Sequence, residues 1–199
     1  MPLTKRLIAF TALASVVGLA GCASTKVETT GSPLKEPLCQ VGARAINTVV
    51  YWSLQWRPDQ KEPPLREAAA LRGIQGFLSR TSCLAVVGIH RLPEGDALPS
   101  DTELMRLAAS TPAKPERVVL IVVHELGPRL TVGIPVIVEG GTEVLIDVRV
   151  FNPQSPELLA NIRTLWRNGG TFVIKGVKTL DQDMSAALNA TLMPSTVAK

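Results

Sequence analysis

Arg117-Val-Val-Leu-Ile-Val-Val123 carries six consecutive apolar residues, four of them valine. So short a run, with no polar alternation, predicts a β-strand buried on both faces rather than a helix. A strand of that kind has to lie inside a sheet with helices packed on it. The residues on either side supply the rest of the layer. Thr48 to Trp56 is rich in β-branched and aromatic residues and predicts an earlier strand, stopped by Arg57-Pro58-Asp59. Pro63 and Pro64 open a helix, in which Leu71, Ile74, Phe77 and Leu78 recur at helical spacing. Gly73 and Gly76 weaken that helix, which points to close packing onto the sheet. Leu84 to Ile89 predicts a second strand. Ser100-Asp101-Thr102-Glu103 fits a capping box for a short helix through Leu104, Leu107 and Ala108, ended by Pro112 and Pro115.

Beyond Gly127-Pro128 the pattern changes to antiparallel style. Arg129 to Val138 predicts a strand, with Pro135 demoting part of it to an edge or bulge. Glu139-Gly140-Gly141 predicts a turn. Val144, Ile146, Val148 and Val150 alternate with Asp147 and Arg149, as in a strand with one core face and one polar face. Leu159 to Trp166 and Thr171 to Lys175 flank Asn168-Gly169-Gly170, which predicts a hairpin. Thr179 to Leu192 predicts a final helix, with Asp181 and Asp183 in its first turn where the helix dipole favours them. The fold class is α/β (α+β): a single domain with a mixed β-sheet, a β-α-β-α-β start, antiparallel hairpins and a C-terminal helix.

The first residues carry a different kind of signal. Lys5 and Arg6 precede an uncharged apolar run from Leu7 to Gly18, which matches a signal-peptide core and is too short to span a bilayer. Leu19-Ala-Gly-Cys22 follows. This tetrapeptide resembles the lipobox of bacterial lipoproteins, in which the cysteine is diacylated, the chain is cut before it and the new amine is acylated. The resemblance implies palmitate on Cys22 and an anchor that is effectively permanent, since each buried CH₂ contributes about 0.8 kcal/mol. The bland alternative is an ordinary cleaved signal with an incidental cysteine. In enteric bacteria, Asp after the lipidated cysteine retains a lipoprotein in the inner membrane. Ala23 stands there, so the expected destination is the outer membrane, periplasmic face. The expected organisation is a signal over 1–21, a lipidated tether over 22–45, a globular domain over 46–193 and a disordered tail over 194–199.

Lys and Arg number 21, two of them in the signal, against 17 Asp and Glu, all beyond it. The mature chain is therefore close to neutral, and nothing calls for a nucleic-acid partner. With Cys22 assigned to lipid, Cys39 and Cys83 remain. In an oxidising periplasm they read as one disulfide, closing a long loop worth about 4 kcal/mol in the chain-entropy model. Two free buried thiols are the alternative.

Chemistry is sparsely signalled. His124-Glu125 begins like a zinc-protease motif, but the second ligand position is Pro128. His90 and His124 both end apolar strands and read as structural. There is no Gly-x-Ser-x-Gly elbow, and Gly140-Gly141 and Gly169-Gly170 lack the following residues of a phosphate loop. Asp147 and Arg149 share a strand face and read as a surface pair. No catalytic residue, metal or cofactor is expected. Trp52, Trp56, Arg57 and Lys61 form the one aromatic–basic cluster, read either as core packing or as a partner or glycan surface.

The element order resembles a superfamily of periplasmic and outer-membrane modules. It includes the CsgG curli-export lipoprotein, the PelC polysaccharide-export lipoprotein, the LpoB synthase activator and the amino-terminal domain of TolB. The matching pieces are Leu84-Ala-Val-Val-Gly-Ile89, Arg117-Val-Val-Leu-Ile-Val-Val123 and Val144-Leu-Ile-Asp-Val-Arg-Val150, within roughly residues 46–192. The turn Asn152-Pro-Gln-Ser-Pro156 lacks the family's glycine, and Trp166 falls late in the next strand. The resemblance implies a non-catalytic adaptor or assembly part of an envelope machine, with envelope proteins or copies of itself as partners. A ligand- or glycan-binding lipoprotein and an envelope hydrolase are the alternatives.

Overall fold

The computed structural model describes residues 23–40, 42–93, 97–134, 137–155 and 157–193. Cys22, the signal 1–21, Pro135 and the tail 194–199 lie outside them. Among the described residues six strands and three α-helices are formed: β1 Ser24–Ser32, β2 Ile46–Leu54, α1 Pro63–Arg80, β3 Leu84–Arg91, α2 Asp101–Ala109, β4 Arg117–Gly133, β5 Ile137–Asn152, β6 Glu157–Thr171 and α3 Leu180–Leu192. The strands make one mixed sheet in the order β1-β6-β5-β4-β2-β3. β2 runs parallel to both β3 and β4, and the remaining pairs are antiparallel.

The two faces of the sheet are covered unequally, and this explains the sequence pattern. On one face α1 and α3 pack over Val119, Ile121 and Val123 of β4, Val144, Ile146 and Val148 of β5, and Ile162 and Trp166 of β6. On the other face α2 covers only one half, through Leu104 and Ala108 against Val49, Tyr51, Val118, Leu120 and Val122. β4 is therefore apolar on both sides where α2 lies over it. Glu143, Asp147 and Arg149 of β5 and Arg163 and Arg167 of β6 point to the open half and are only partly buried or exposed, so those strands alternate.

Local signals act as expected at the helix starts. Pro63 and Pro64 occupy the first turn of α1. Ser100 Oγ accepts from Glu103 N–H at 3.2 Å and caps α2. The final helix carries Asp181 and Asp183 in its first turn.

Four expectations are corrected. The polar stretch after Cys22 is not all tether: Ser24–Ser32 is an exposed edge strand paired with β6 from Ser24 opposite Gly169 to Ser32 opposite Asn161. It has no apolar period because neither of its faces is buried; backbone hydrogen bonds hold it. Glu139-Gly140-Gly141 and Asn168-Gly169-Gly170 are not turns. Gly140 lies opposite Gly170 and Gly141 opposite Gly169, inside β5 and β6. The backbones come so close there that a Cβ on Gly169 would sit 2.1 Å from the Gly140 oxygen, so only glycine fits on either strand. Arg129 to Val138 is not a strand of its own: β4 runs on through Gly127-Pro128 to Gly133, and β5 begins at Ile137. The irregularity falls between Val123 and Glu125, where a bulge leaves His124 unpaired in the ladder. Finally, the close approach at Gly73 is to α3 rather than to the sheet: a Cβ there would lie 2.5 Å from Met184 Cβ.

Candidate functional site

Cys39 and Cys83 are joined, with Cα atoms 5.8 Å apart. Cys39 precedes β2 and Cys83 precedes β3. Because these strands are parallel neighbours, with Ile46 opposite Leu84, their starts lie on one edge of the sheet. Ile46 N–H donates to the Cys83 carbonyl at 2.9 Å, tying the same corner.

The aromatic–basic cluster is divided by the fold. Trp52 is 2% exposed and belongs to the core under α1, with Arg91 lying 6.0 Å over its ring. Trp56 is partly buried against the same core. Trp52 is therefore not a partner surface: β2 is an inner strand, and its odd and even side chains are both covered. Arg57 remains accessible and pairs with Glu125 at 2.9 Å. That contact belongs to a buried charge cluster which the sequence did not reveal. Arg66, in the first turns of α1, donates from Nε to the Lys61 carbonyl at 2.6 Å and from Nη1 to the Leu126 carbonyl, and lies 3.5 Å from Glu125. The cluster ties the start of α1 to β4 just past its bulge.

On the open half of the sheet, His124 Nε2 donates to Asp147 Oδ2 at 2.8 Å, and Arg163 donates to both oxygens of the same carboxylate, at 2.7 and 3.0 Å. Burial alone would push the Asp147 carboxyl up. The hydrogen bonds from His124 and Arg163 outweigh it and hold the group below its ordinary value. The expected Asp147–Arg149 pair does not form, since Arg149 bonds to Asp101 at the start of α2. A His–Asp pair is part of a hydrolase triad, but among the described residues His124 makes no hydrogen bond to a serine, threonine or cysteine. Arg167 continues the charged ladder to Glu143 at 2.6 Å and Glu28 at 3.7 Å. His90 stacks on Tyr51 at 5.3 Å. No group of metal-ligating side chains comes together among the described residues.

Two concave features bear on binding. A cleft of about 300 Å³ at the glycine pairs is lined by Lys26, Arg129, Glu139, Arg167 and the bare backbones of Gly140 and Gly169. A shallower groove of about 430 Å³ runs between α1 and β3, over Leu78, Leu84, Val86 and Ile89. Among the described residues no strand pairs with the outer edge of β3. No described helix is long and apolar enough to cross a membrane.

No protein-family model and no curated protein matches the chain. Solved structures give distant likenesses. The PelC dodecamer from Paraburkholderia phytofirmans is 12% identical with a TM-score of 0.44, over 85% of this chain and 98% of that one. Lipoprotein GNA1162 from Neisseria meningitidis is 16% identical with a TM-score of 0.39, over 72% and 96%. A neuraminyllactose-binding hemagglutinin homolog from Helicobacter pylori is 10% identical with a TM-score of 0.36, over 77% and 84%. At such identities and scores these likenesses carry no conclusion about what this chain does.

Proposed function

We propose that this protein is a bacterial envelope lipoprotein, held through Cys22 at the periplasmic face of the outer membrane, where it works without catalysis. Its role is that of an assembly or adaptor component of a complex for secretion, export or envelope maintenance. Its partners are envelope proteins or further copies of itself. The observation that carries this reading is Leu19-Ala-Gly-Cys22 at the end of a charged and apolar leader, two residues before the first strand of the fold. The disulfide suits the oxidising compartment to which such a leader directs a chain. The contact-making part of the reading draws on the stretch of β3 around Val86, where no strand pairs with the outer side of the sheet among the described residues. It lies beside an apolar groove, and Val86 is 38% exposed. The burial of Trp52 withdraws support from the glycan-binding alternative.

Crosslinking in intact envelopes tests the role. A photo-crosslinker at Val86 should trap a protein partner, either a second copy or another envelope component. Recovery of only the uncrosslinked chain, with a native mass of one protomer, would contradict an adaptor role. Sucrose-gradient fractionation should place the protein with outer-membrane markers; migration with the inner-membrane marker would refute the sorting inferred from Ala23.

A further inference from the structure

The most exposed large apolar side chains among the described residues are not scattered. Leu130, Val132, Ile134, Phe172 and Ile174 all lie at one end of the sheet, with exposures from 61% at Val132 to beyond 80% at Ile174 and Ile134. Leu130 and Val132 stand opposite Gly140 and Val138 near the end of the β4–β5 hairpin. Phe172 follows β6 directly and donates its N–H to the Val138 carbonyl at 2.8 Å. Leu130 and Val132 continue the face that α1 and α3 cover further along, at a point past the helices. A gathering of exposed apolar side chains of this kind marks a docking site for protein or membrane.

The chain itself identifies the occupant. Ser24 stands opposite Gly169, Gly169 opposite Gly141, and Gly141 opposite Arg129, making one row across four strands. From that row the chain preceding Ser24 leaves the sheet toward the end that carries the apolar tip. Cys22 is two residues beyond Ser24, a reach of at most about 7 Å. Gly133, where β4 ends, is four residues beyond Arg129, about 13 Å in an extended strand, and Ile134 follows it. The end of β4 therefore extends further from that row than a two-residue link from Ser24 can reach. With β1 in the sheet, no slack remains to hold the tip away from the bilayer.

On the opposite face of the same end, Lys26 and Arg129 line the glycine-floored cleft beside Glu139 and Arg167. Arg167 is paired with Glu143 and Glu28, whereas neither Lys26 nor Arg129 forms an ion pair among the described residues. An apolar face with uncompensated cations behind it is the arrangement of elements that sit at a lipid interface, with apolar groups about 5–10 Å deep and cations at the phosphates.

We infer that the tip formed by Leu130, Val132, Ile134, Phe172 and Ile174 inserts into the leaflet that holds the Cys22 acyl chains, with Lys26 and Arg129 against phospholipid phosphates. The sheet would then stand at a fixed angle to the membrane, with the β3 edge and the α2 face turned to the periplasm. This inference rests on the lipoprotein reading.

The test uses the processed, lipidated protein in vesicles of phosphatidylethanolamine and phosphatidylglycerol. An environment-sensitive fluorophore is placed at Ile134→Cys and, as a control, at Gln154→Cys in the exposed turn at the other end of the sheet. Mass of the amino-terminal peptide reports lipid on Cys22 in the same samples. The expected result is a blue shift and several-fold stronger quenching by acyl-chain nitroxides at 134 than at 154, with iodide quenching reversed in order. Lipid on Cys22 with position 134 open to iodide would overturn insertion and leave the anchor standing. Lipid on Cys22 with position 134 shielded from both quenchers would also overturn it, and would assign the tip to a protein contact. An unlipidated Cys22 would overturn the anchor and the insertion together.

Discussion

Gly127 lies directly against the guanidinium of Arg66: a Cβ at position 127 would fall 1.6 Å from Arg66 Nη1. The glycine keeps the place that lets Arg66 reach the Leu126 carbonyl and Glu125 at once. Glu125 keeps Arg57 as a partner when Arg66 is lost, but the Leu126 carbonyl does not keep its donor. Arg66→Met, and Gly127→Ala through displacement of Arg66, are each expected to destabilise the fold by about 1–3 kcal/mol. Glu125→Gln combined with Arg66→Met should cost less than the sum of the single changes. Urea denaturation measures all four species; additive single effects would contradict the coupling.

The two glycines of α1 should behave oppositely. A Cβ on Gly73 would meet Met184 Cβ at 2.5 Å and the Asp181 carbonyl at 2.7 Å, whereas one on Gly76 would find its nearest neighbour at 3.7 Å. Gly73→Ala forces α1 and α3 apart, at about 1–3 kcal/mol. Gly76→Ala gains helix propensity and is expected to stabilise by up to about 1 kcal/mol. Thermal melts of the two variants should move in opposite directions.

The Cys39–Cys83 link spans 44 residues and fastens the starts of β2 and β3. Peptide mapping without reductant, with alkylating agent present throughout purification, should recover this one bridge. Its reduction should lower stability by about 2–5 kcal/mol. Two alkylated thiols in protein taken from the periplasm would contradict it.

Asp147 supplies a pH dependence whose sign follows from its environment. Its carboxyl titrates below the ordinary value when folded. The contribution of its bonds to His124 and Arg163 is therefore fully present above the unfolded value, about 4, and is lost as pH falls through the folded one. In urea titrations from neutral pH into acid, Asp147→Asn should flatten this acid limb relative to the unsubstituted protein. Superimposable profiles would remove Asp147 from the account.

The central layer was legible because its residues obey simple periods. Val118 to Val123 had to be covered on both faces, and Val144 to Val150 on one. Ser24–Ser32 was not legible, since an edge strand with neither face buried leaves no apolar pattern and depends on a partner, β6, that lies far along the chain. The glycine pairs were misread for a related reason. Gly141 and Gly169 look like turns one at a time, and only their mutual approach across β5 and β6 shows why neither can carry a side chain. The apolar tip escaped for lack of contiguity, because Leu130, Val132 and Ile134 come from one hairpin while Phe172 and Ile174 arrive from beyond β6. Arg66 and Glu125 carried no motif; their pairing depends on where α1 crosses β4.

The most direct test of the account is metabolic palmitate labelling of the full chain beside its Cys22→Ser variant. The account predicts a labelled, processed protein that loses its label on substitution, with the uncut precursor accumulating. Label persisting in Cys22→Ser, or none on the unsubstituted protein, would contradict the anchor on which the proposed function rests.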